Sequence, residues 1–180
     1  MLLAKDGKPG RVTFEKQGRQ IQAVDLDSDG RTEYMDIGEG YGPLMAFDYM
    51  GTHLFSFDRL HYPRYMAAGD LDGNGELELV VGLGRKGAIH VLDKNGREKS
   101  SVAANNIRGL VLADADGDGL AEILHVNWHG RLTIRESDGS IKDTLDLGRT
   151  GNRFSLCNFP SRSGEAHALV IRETVARLFD

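Results

Sequence analysis

The feature that most constrains this sequence is an acidic segment that returns with a nearly constant period. The chain reads DLDSDGRTE from residue 25, DLDGNGELE from residue 70 and DADGDGLAE from residue 114, so successive copies start 45 and 44 residues apart. A second feature repeats with nearly the same period: the triplets KDG, YMG, KNG and SDG end at residues 7, 51, 96 and 139. A fixed period of about 20 to 50 residues is the signature of a solenoid, propeller or array. The sequence therefore predicts a repeat fold.

The segments between these marks have the pattern of short β-strands. Apolar and β-branched residues lead into each acidic segment at 22–24, 67–69 and 110–113, and others lead out at 79–81 and 123–124. Asx-Gly pairs favour tight hairpin turns, and 23 glycines against 4 prolines fit many such turns. Helical repeats of similar period need a helical apolar spacing that is absent here. Four strands in about 44 residues are typical of a propeller blade.

We therefore predict an all-β fold, a β-propeller built from four blades of about 44 residues with four strands each. The predicted single domain covers residues 1–180, with blades at about 16–60, 61–104, 105–149 and 150–180 plus 1–15. In this arrangement the N-terminal strand completes the last blade and closes the ring, which removes exposed sheet edges. An array cut at a repeat boundary would match its two ends equally well, and this alternative stays open.

The acidic loops have the chemistry of a calcium site. Their pattern D-x-[DN]-x-[DN]-G-x-x-E directs three oxygen-bearing side chains and a glutamate to one centre, and hard oxygen ligands suit calcium. The seventh position would supply a backbone carbonyl, which explains why Arg31, Glu76 and Leu120 differ there. An EF-hand is excluded because it needs an acid at position twelve followed by a helix. The alternative is a solvated Asp/Gly turn, and three copies at a fixed period weigh against it.

The stretch AAGDLDGNGELELVVG at residues 67–82 resembles an FG-GAP or VCBS-type repeat, known from the calcium-binding propeller of integrin α-chains. The resemblance covers nearly the whole chain, with three good copies. It implies calcium-ligand roles for the side chains of Asp25, Asp27, Asp29, Glu33, Asp70, Asp72, Asn74, Glu78, Asp114, Asp116, Asp118 and Glu122. The fourth copy reads NFPSRSGE from residue 158 and lacks the acids, so about three calcium ions are expected. Family propellers usually have about seven blades, so both a closed four-bladed monomer and an eight-bladed homodimer stay open.

Charge supports the metal hypothesis and excludes some partners. The net charge of -5 and the pI of 5.7 argue against nucleic acid as a ligand. Eleven of the 27 acidic residues are predicted side-chain ligands, so each cluster would hold three or four like charges without a metal. Loops with affinities of about 10⁻⁴ to 10⁻³ M fill outside a cell. We therefore expect an extracellular, cell-surface or periplasmic setting, and the chain has no apolar run long enough to insert into a membrane.

The sequence favours binding over catalysis. None of its six histidines forms a metal motif, and neither a nucleophile elbow nor a phosphate loop is present. Aromatic and arginine side chains are expected at the ends of the blades opposite the acidic loops, where they would contact a glycan or protein. The candidate ligand-binding residues are Tyr41, Arg85, Trp128 and His129. We predict a non-enzymatic binding or adhesion module. The alternatives are the propeller of a polysaccharide-active enzyme such as a lyase, and a purely structural spacer.

Overall fold

The structure is a computed structural model of the chain. It describes residues 20–38, 42–59, 62–84 and 87–148 with their side chains, and the backbone of the strands at 2–3, 9–10, 154–160, 166–172 and 175–179. All regular structure in this part of the chain is β. Among the described residues, no helix is long and apolar enough to cross a membrane.

The described residues contain seventeen strands, which form antiparallel sheets whose members follow one another along the chain. A two-stranded hairpin comes first, with β1 at Leu2–Leu3 and β2 at Pro9–Gly10. The first four-stranded sheet contains β3 (Gln20–Val24), β4 (Glu33–Ile37), β5 (Leu44–Phe47) and β6 (His53–Phe57). The second contains β7 (Pro63–Gly69), β8 (Glu78–Leu83), β9 (Ala88–Leu92) and β10 (Glu98–Ala103). The third contains β11 (Ile107–Ala113), β12 (Glu122–Asn127), β13 (Arg131–Arg135) and β14 (Ile141–Asp146). The last has three strands, β15 (Phe154–Pro160), β16 (Ala166–Arg172) and β17 (Val175–Phe179).

The hydrophobic core lies between neighbouring sheets. Strand β8 is buried along its whole length because a sheet packs on each of its faces. Leu79 and Val81 pack against the first sheet, while Val80 between them packs against the third. Each such fully buried side chain contributes about 1.5–3 kcal/mol to folding. A strand with both faces covered reads as a continuous apolar run rather than an alternating one.

The first strands of successive sheets lie beside one another. β3 contacts β7, β7 contacts β11, and β11 contacts β15. Each sheet therefore places its first strand against the next sheet and its fourth strand at the outside, as blades do in a propeller. The expected all-β fold of four-stranded antiparallel sheets is confirmed for three sheets.

Ring closure and the fourth complete blade stay predictions. Residues 11–15 of the expected closing strand lie outside the described residues, and β2 pairs with β1. In the last sheet, β17 pairs with β16, and the described strands give three members rather than four.

Candidate metal-binding loops and the opposite end of the blades

Each acidic loop connects the first and second strands of its sheet and is folded by its own side chains. In the second loop, Asp70 accepts hydrogen bonds from the backbone N–H of Gly73 and of Gly75, both at 2.8 Å. Asn74 accepts one from the N–H of Glu76 at 2.7 Å. The third loop repeats this arrangement with Asp114 and Asp118 as acceptors. Short polar side chains that accept backbone N–H groups hold tight turns in this way.

The glutamate that ends each acidic segment anchors the loop. Glu33, Glu78 and Glu122 are each the first residue of a second strand and are at most 5% exposed. In each case Oε2 accepts a hydrogen bond from the backbone N–H seven residues earlier, at Leu26 (2.7 Å), Leu71 (3.0 Å) and Ala115 (2.6 Å). Burial raises the pKa of Glu33 and of Glu122. One oxygen of each carboxylate is therefore committed to the protein backbone.

Carboxylate oxygens converge in all three loops. Within each of three groups the ligand atoms lie within 4.8 Å of one another, and the groups are Asp25, Asp27 and Asp29; Asp70, Asp72 and Glu78; Asp114, Asp116 and Glu122. Calcium binds oxygen at about 2.3–2.6 Å, so oxygens on opposite sides of one ion lie about 5 Å apart. The hard donors and their spacing therefore fit one calcium ion per loop.

The converging groups contain only part of each predicted ligand set. Glu33 and Asp118 lie outside their groups, and the amide residue Asn74 points its Oδ1 at the N–H of Glu76. At the seventh position, the backbone N–H of Arg31 donates a hydrogen bond to Asp29 Oδ1, and that of Leu120 donates one to Asp118 Oδ1. The complete ligand set, including the carbonyls of this position, stays a prediction.

Two lysines that sequence reasoning missed enter the second and third loops. Nζ of Lys99 lies 2.8 Å from Asp72 Oδ2 and 2.8 Å from Glu78 Oε1. Nζ of Lys142 contacts Asp116 directly and lies 3.2 Å from Glu122 Oε1. These hydrogen bonds, first of all that to Asp72, raise the pKa of Lys99 above its ordinary value.

The lysines also change the charge balance that the sequence suggested. Several like charges do converge in each cluster, but in the second and third loops an ammonium group, which the sequence did not predict, lies among the carboxylates. The signal was present in the sequence: Lys99 and Lys142 each follow a turn glycine by three residues.

Among the described residues, no lysine forms an ion pair with the carboxylates of the first loop. In this part of the chain, the ion pair of the first loop joins Arg31 Nη1 to Asp29 Oδ2 at 3.9 Å, with both side chains nearly half exposed. The guanidinium of Arg31 lies instead over the ring of Tyr49, 4.8 Å from its centroid. The first loop is therefore contacted by an arginine where the other two loops are contacted by a lysine.

The ends of the blades opposite the loops carry an arginine and a tryptophan in contact. Trp128, in the turn between β12 and β13, is 40% exposed, and the guanidinium of Arg108 lies 4.1 Å from its ring centroid. Nε of Arg108 is buried and has no hydrogen-bond partner in the described part of the chain. Burial, together with the charge of Arg64, lowers the pKa of Arg108. The two arginines occupy the same second position of β11 and β7.

The other predicted ligand-binding residues divide into two groups. His129 is exposed in the same turn as Trp128, and its N–H donates to Asn127 Oδ1 at 2.9 Å. Tyr41 and Arg85 lie outside the described residues. Arg108 was not among the candidates, although it lies 44 residues after Arg64 in the repeat.

His125 lies within the blade rather than at either end. It is 5% exposed on β12, and its Nε2 accepts a hydrogen bond from Nε of Arg135 at 3.1 Å. Burial, with a contribution from Arg135, lowers its pKa to about 4. This histidine is therefore neutral at pH 7 and belongs to the interior.

Comparison with known proteins identifies the fold but not a family. No family model and no curated protein matches the sequence. Among solved structures, the chain is similar to BBS1N in its complex with ARL6DN, with a TM-score of 0.73 and 12% identity over 98% of this chain and 55% of that one. The Dos1 propeller matches with a TM-score of 0.64 and 9% identity over 89% of this chain and 43% of its own. BamB from Moraxella catarrhalis matches with a TM-score of 0.60 and 14% identity over 88% of this chain and 41% of its own.

These similarities define the class of the protein. The matched structures are β-propellers, and together with the stacked four-stranded sheets they assign the β-propeller fold to this chain. The chain spans about half the length of the structures that it matches. At identities of 9–14% the likeness concerns the fold alone.

Proposed function

We propose that this chain is a calcium-stabilised β-propeller that acts as a non-enzymatic binding or adhesion module for a glycan or protein outside the cytosol. The observation that carries the proposal is the convergence of carboxylate oxygens within 4.8 Å at the same place in three successive blades. Three copies of one hard-oxygen arrangement on a repeating scaffold favour a structural metal over a single reaction centre. The resemblance of the sequence to calcium-binding FG-GAP-type repeats also favours a structural metal.

The ligand is proposed to bind at the end of the blades opposite the loops. There Trp128 offers a large exposed aromatic surface, and Arg108 contacts its ring. Neither Arg108 nor Arg64 forms an ion pair with a described residue. Tryptophan and arginine are over-represented among residues that dominate binding energy. An unpaired guanidinium beside an aromatic ring favours a ligand that combines a flat surface with a carboxylate or another oxyanion.

The propeller neighbours support a binding role by analogy. One of them was solved as a complex of BBS1N with ARL6DN, so that propeller binds a protein partner. Analogy of fold does not transfer the partner, because one fold carries many functions. For this chain the class of ligand rests on Trp128 and Arg108.

Thermal unfolding tests the calcium part of the proposal. The full chain is unfolded in EDTA, in about 2 mM calcium and in about 2 mM magnesium. Each site filled at tenfold over its dissociation constant adds about 1.4 kcal/mol by linkage, which raises Tm by about 3–6 °C for a domain of this size. An increase with calcium that magnesium does not reproduce supports the proposal. Identical unfolding in all three conditions refutes it.

A binding titration tests the recognition part. Oligogalacturonate is compared with a neutral oligosaccharide of equal length, using the chain and its Trp128→Ala variant at constant calcium. Preference for the acidic sugar that is lost in the variant supports a glycan site. A protein partner found instead, with the same dependence on Trp128, supports the protein alternative. Binding that is unaffected by Trp128→Ala places recognition elsewhere.

A further inference from the structure

An arginine recurs once per repeat of the sequence, at the end of the blades opposite the acidic loops. The chain has Arg19, Arg64, Arg108 and Arg153, at successive distances of 45, 44 and 45 residues. Arg64 and Arg108 are the second residues of β7 and β11, which are the first strands of their sheets and contact each other. Arg19 and Arg153 lie outside the described residues. The repeat therefore places arginines on neighbouring inner strands of the fold.

The two described arginines are presented by the same backbone feature. In both blades the pairing of the first and second strands contains a bulge, and the extra residue is the arginine. The residue two positions earlier, Tyr62 or Asn106, has a left-handed φ of +59° or +55°. Its carbonyl accepts a hydrogen bond from the backbone N–H of Gly84 or of Trp128, at 3.0 and 2.9 Å. A bulge redirects the side chain of its extra residue and is over-represented next to active sites. The two arginines are therefore held at equivalent positions by a repeated local structure.

The surface against which each arginine packs differs between the two blades. The guanidinium of Arg108 lies over the ring of Trp128, 4.1 Å from the centroid. The residue equivalent to Trp128 in the preceding blade is Gly84, 44 residues earlier, and a Cβ there would collide with Cγ and Cδ of Arg64. The stem of Arg64 takes this place because residue 84 has no side chain. One arginine thus packs on backbone, and the other packs on an exposed aromatic ring.

The described residues do not neutralise the two guanidinium groups. No ion pair joins Arg64 or Arg108 to a described carboxylate. Nε of Arg108 is buried and has no hydrogen-bond partner in this part of the chain. Burial, and after it the charge of Arg64, lowers the pKa of Arg108, so the two groups are near enough to repel each other. Buried polar groups are normally paired, so a buried donor without a partner beside a second positive charge favours an anion as ligand.

We propose that Arg64 and Arg108 together bind one oxyanion group of the ligand, a carboxylate or a sulfate. The inference rests on the proposed recognition role of this end of the blades and names the groups that select the charge of the ligand. Guanidinium groups bind such oxygens through two parallel hydrogen bonds. An oxyanion between the neighbouring blades offsets the repulsion of the two arginines, while the exposed side of Trp128 contacts the rest of the ligand. A ligand without an oxyanion leaves the repulsion in place and is selected against.

Trp128 provides a local readout, because it is the only tryptophan of the chain. Its fluorescence is followed while the full chain is titrated with sodium sulfate or sodium acetate, with sodium chloride at equal ionic strength as the reference. A saturable change with sulfate or acetate, and not with chloride, is expected, and the stronger of the two identifies the preferred group. Arg64→Gln should weaken this binding about tenfold or more, because a charge-assisted hydrogen bond is lost. Calorimetry of the same solutions detects binding that leaves the fluorescence unchanged.

Three further variants distinguish a defined site from a general effect of charge. Arg108→Gln should weaken anion binding as Arg64→Gln does. Gly84→Ala keeps both charges but displaces the stem of Arg64, so it should weaken binding as well. Arg59→Gln is the matched control and should leave binding unchanged, because it removes the same charge from an exposed arginine that pairs with Glu98 at 3.5 Å. If a variant at residue 84 or 108 fails to fold, Arg64→Gln against this control still decides.

Failure of the inference is distinguishable from failure of the proposed function. Oligogalacturonate binding that is lost in Trp128→Ala but unchanged in Arg64→Gln and Arg108→Gln would overturn the inference and leave the recognition role intact. Equal weakening by the control variant, or no saturable anion binding in either readout, would also overturn it. Anion binding that depends on both arginines, without binding of oligogalacturonate, would uphold the oxyanion site and overturn the glycan role.

Discussion

The two ends of the blades use charge in opposite ways. At the loop end the same arrangement occurs three times, and each buried glutamate is bonded to a backbone N–H. At the opposite end a single tryptophan is exposed, and the buried Nε of Arg108 has no hydrogen-bond partner among the described residues. Charges that are satisfied internally stabilise the fold, whereas an unsatisfied charge beside an exposed ring is available to a ligand. The comparison supports the proposal that the repeated end stabilises the fold and that the unrepeated end binds the ligand.

The largest effect on stability is expected when a glutamate that anchors an acidic loop is removed, and this change tests the stabilising role of the loop end. Glu78→Ala leaves the buried N–H of Leu71 without its acceptor and removes one of the two carboxylate contacts of Lys99, so we expect a loss of about 3 kcal/mol in unfolding free energy. Urea unfolding in EDTA measures it. Glu76→Ala is the control in the same loop, because the side chain of Glu76 is exposed and its ion pair with a described residue is the one to Lys94. Equal effects of the two variants would contradict the anchoring role.

A second prediction concerns the interior between the two ends. The pKa of His125 is lowered to about 4, so the folded state resists protonation that the unfolded chain accepts below its ordinary value of 6.5. Stability from this group is complete above about pH 6.5 and is lost as the pH falls towards 4, by about 3 kcal/mol. The measurement is the unfolding free energy at several pH values for the parent chain minus that for His125→Gln.

The subtraction is needed because other buried groups titrate in the opposite sense. Burial raises the pKa of Glu33 and Asp36, so their protonation favours the folded state as the pH falls. Their contributions cancel between the parent and the variant. A difference that does not vary between pH 7 and pH 4 would show that His125 is not buried in its neutral form.

Alanine substitutions at two glycines of the loop end distinguish the cost of backbone strain from the cost of a packing clash. Gly75 has a φ of +83° and open space where a Cβ would lie, so Gly75→Ala should cost about 1 kcal/mol from strain alone. Gly96 has a φ of +77°, and a Cβ there would collide with the ring of Phe55, so Gly96→Ala should cost about 2 kcal/mol or more. Thermal unfolding compares them. Equal losses would mean that Phe55 moves aside without cost.

The smallest effect on stability is expected at the opposite end. Trp128→Ala removes a partly exposed ring and its contact with Arg108, worth about 0.5–1 kcal/mol. Binding of the acidic oligosaccharide or protein partner should fall by about tenfold or more, because such side chains dominate interfaces. His129→Ala in the same turn is the control and should reduce binding less. A stability loss larger than that of Glu78→Ala would reverse the comparison between the two ends.

The sequence was sufficient to predict the elements that depend on local chemistry. A period of 44–45 residues and the Asx-Gly turns predicted four-stranded antiparallel units, because turn residues and strand alternation act over a few positions. The acidic positions also predicted part of each converging group, since a loop of nine residues brings its own side chains together. The role of Glu78 was predicted only in part: its acid was assigned to a metal, and its hydrogen bond to the N–H of Leu71 was not foreseen.

Only the tertiary structure decided which charges meet across strands. Lys99 is 21 residues from Glu78 in sequence, and their contact depends on the bulge between β9 and β10, which local patterning does not announce. The contact of Arg108 with Trp128 likewise requires the pairing of β11 with β12. By itself the sequence determined the repeat, the strands and the acidic loops, because these arise from neighbouring residues. Strand register decided which side chains contact the loop carboxylates and which ring contacts the guanidinium of Arg108. Register has this role because it sets which distant side chains come within contact distance.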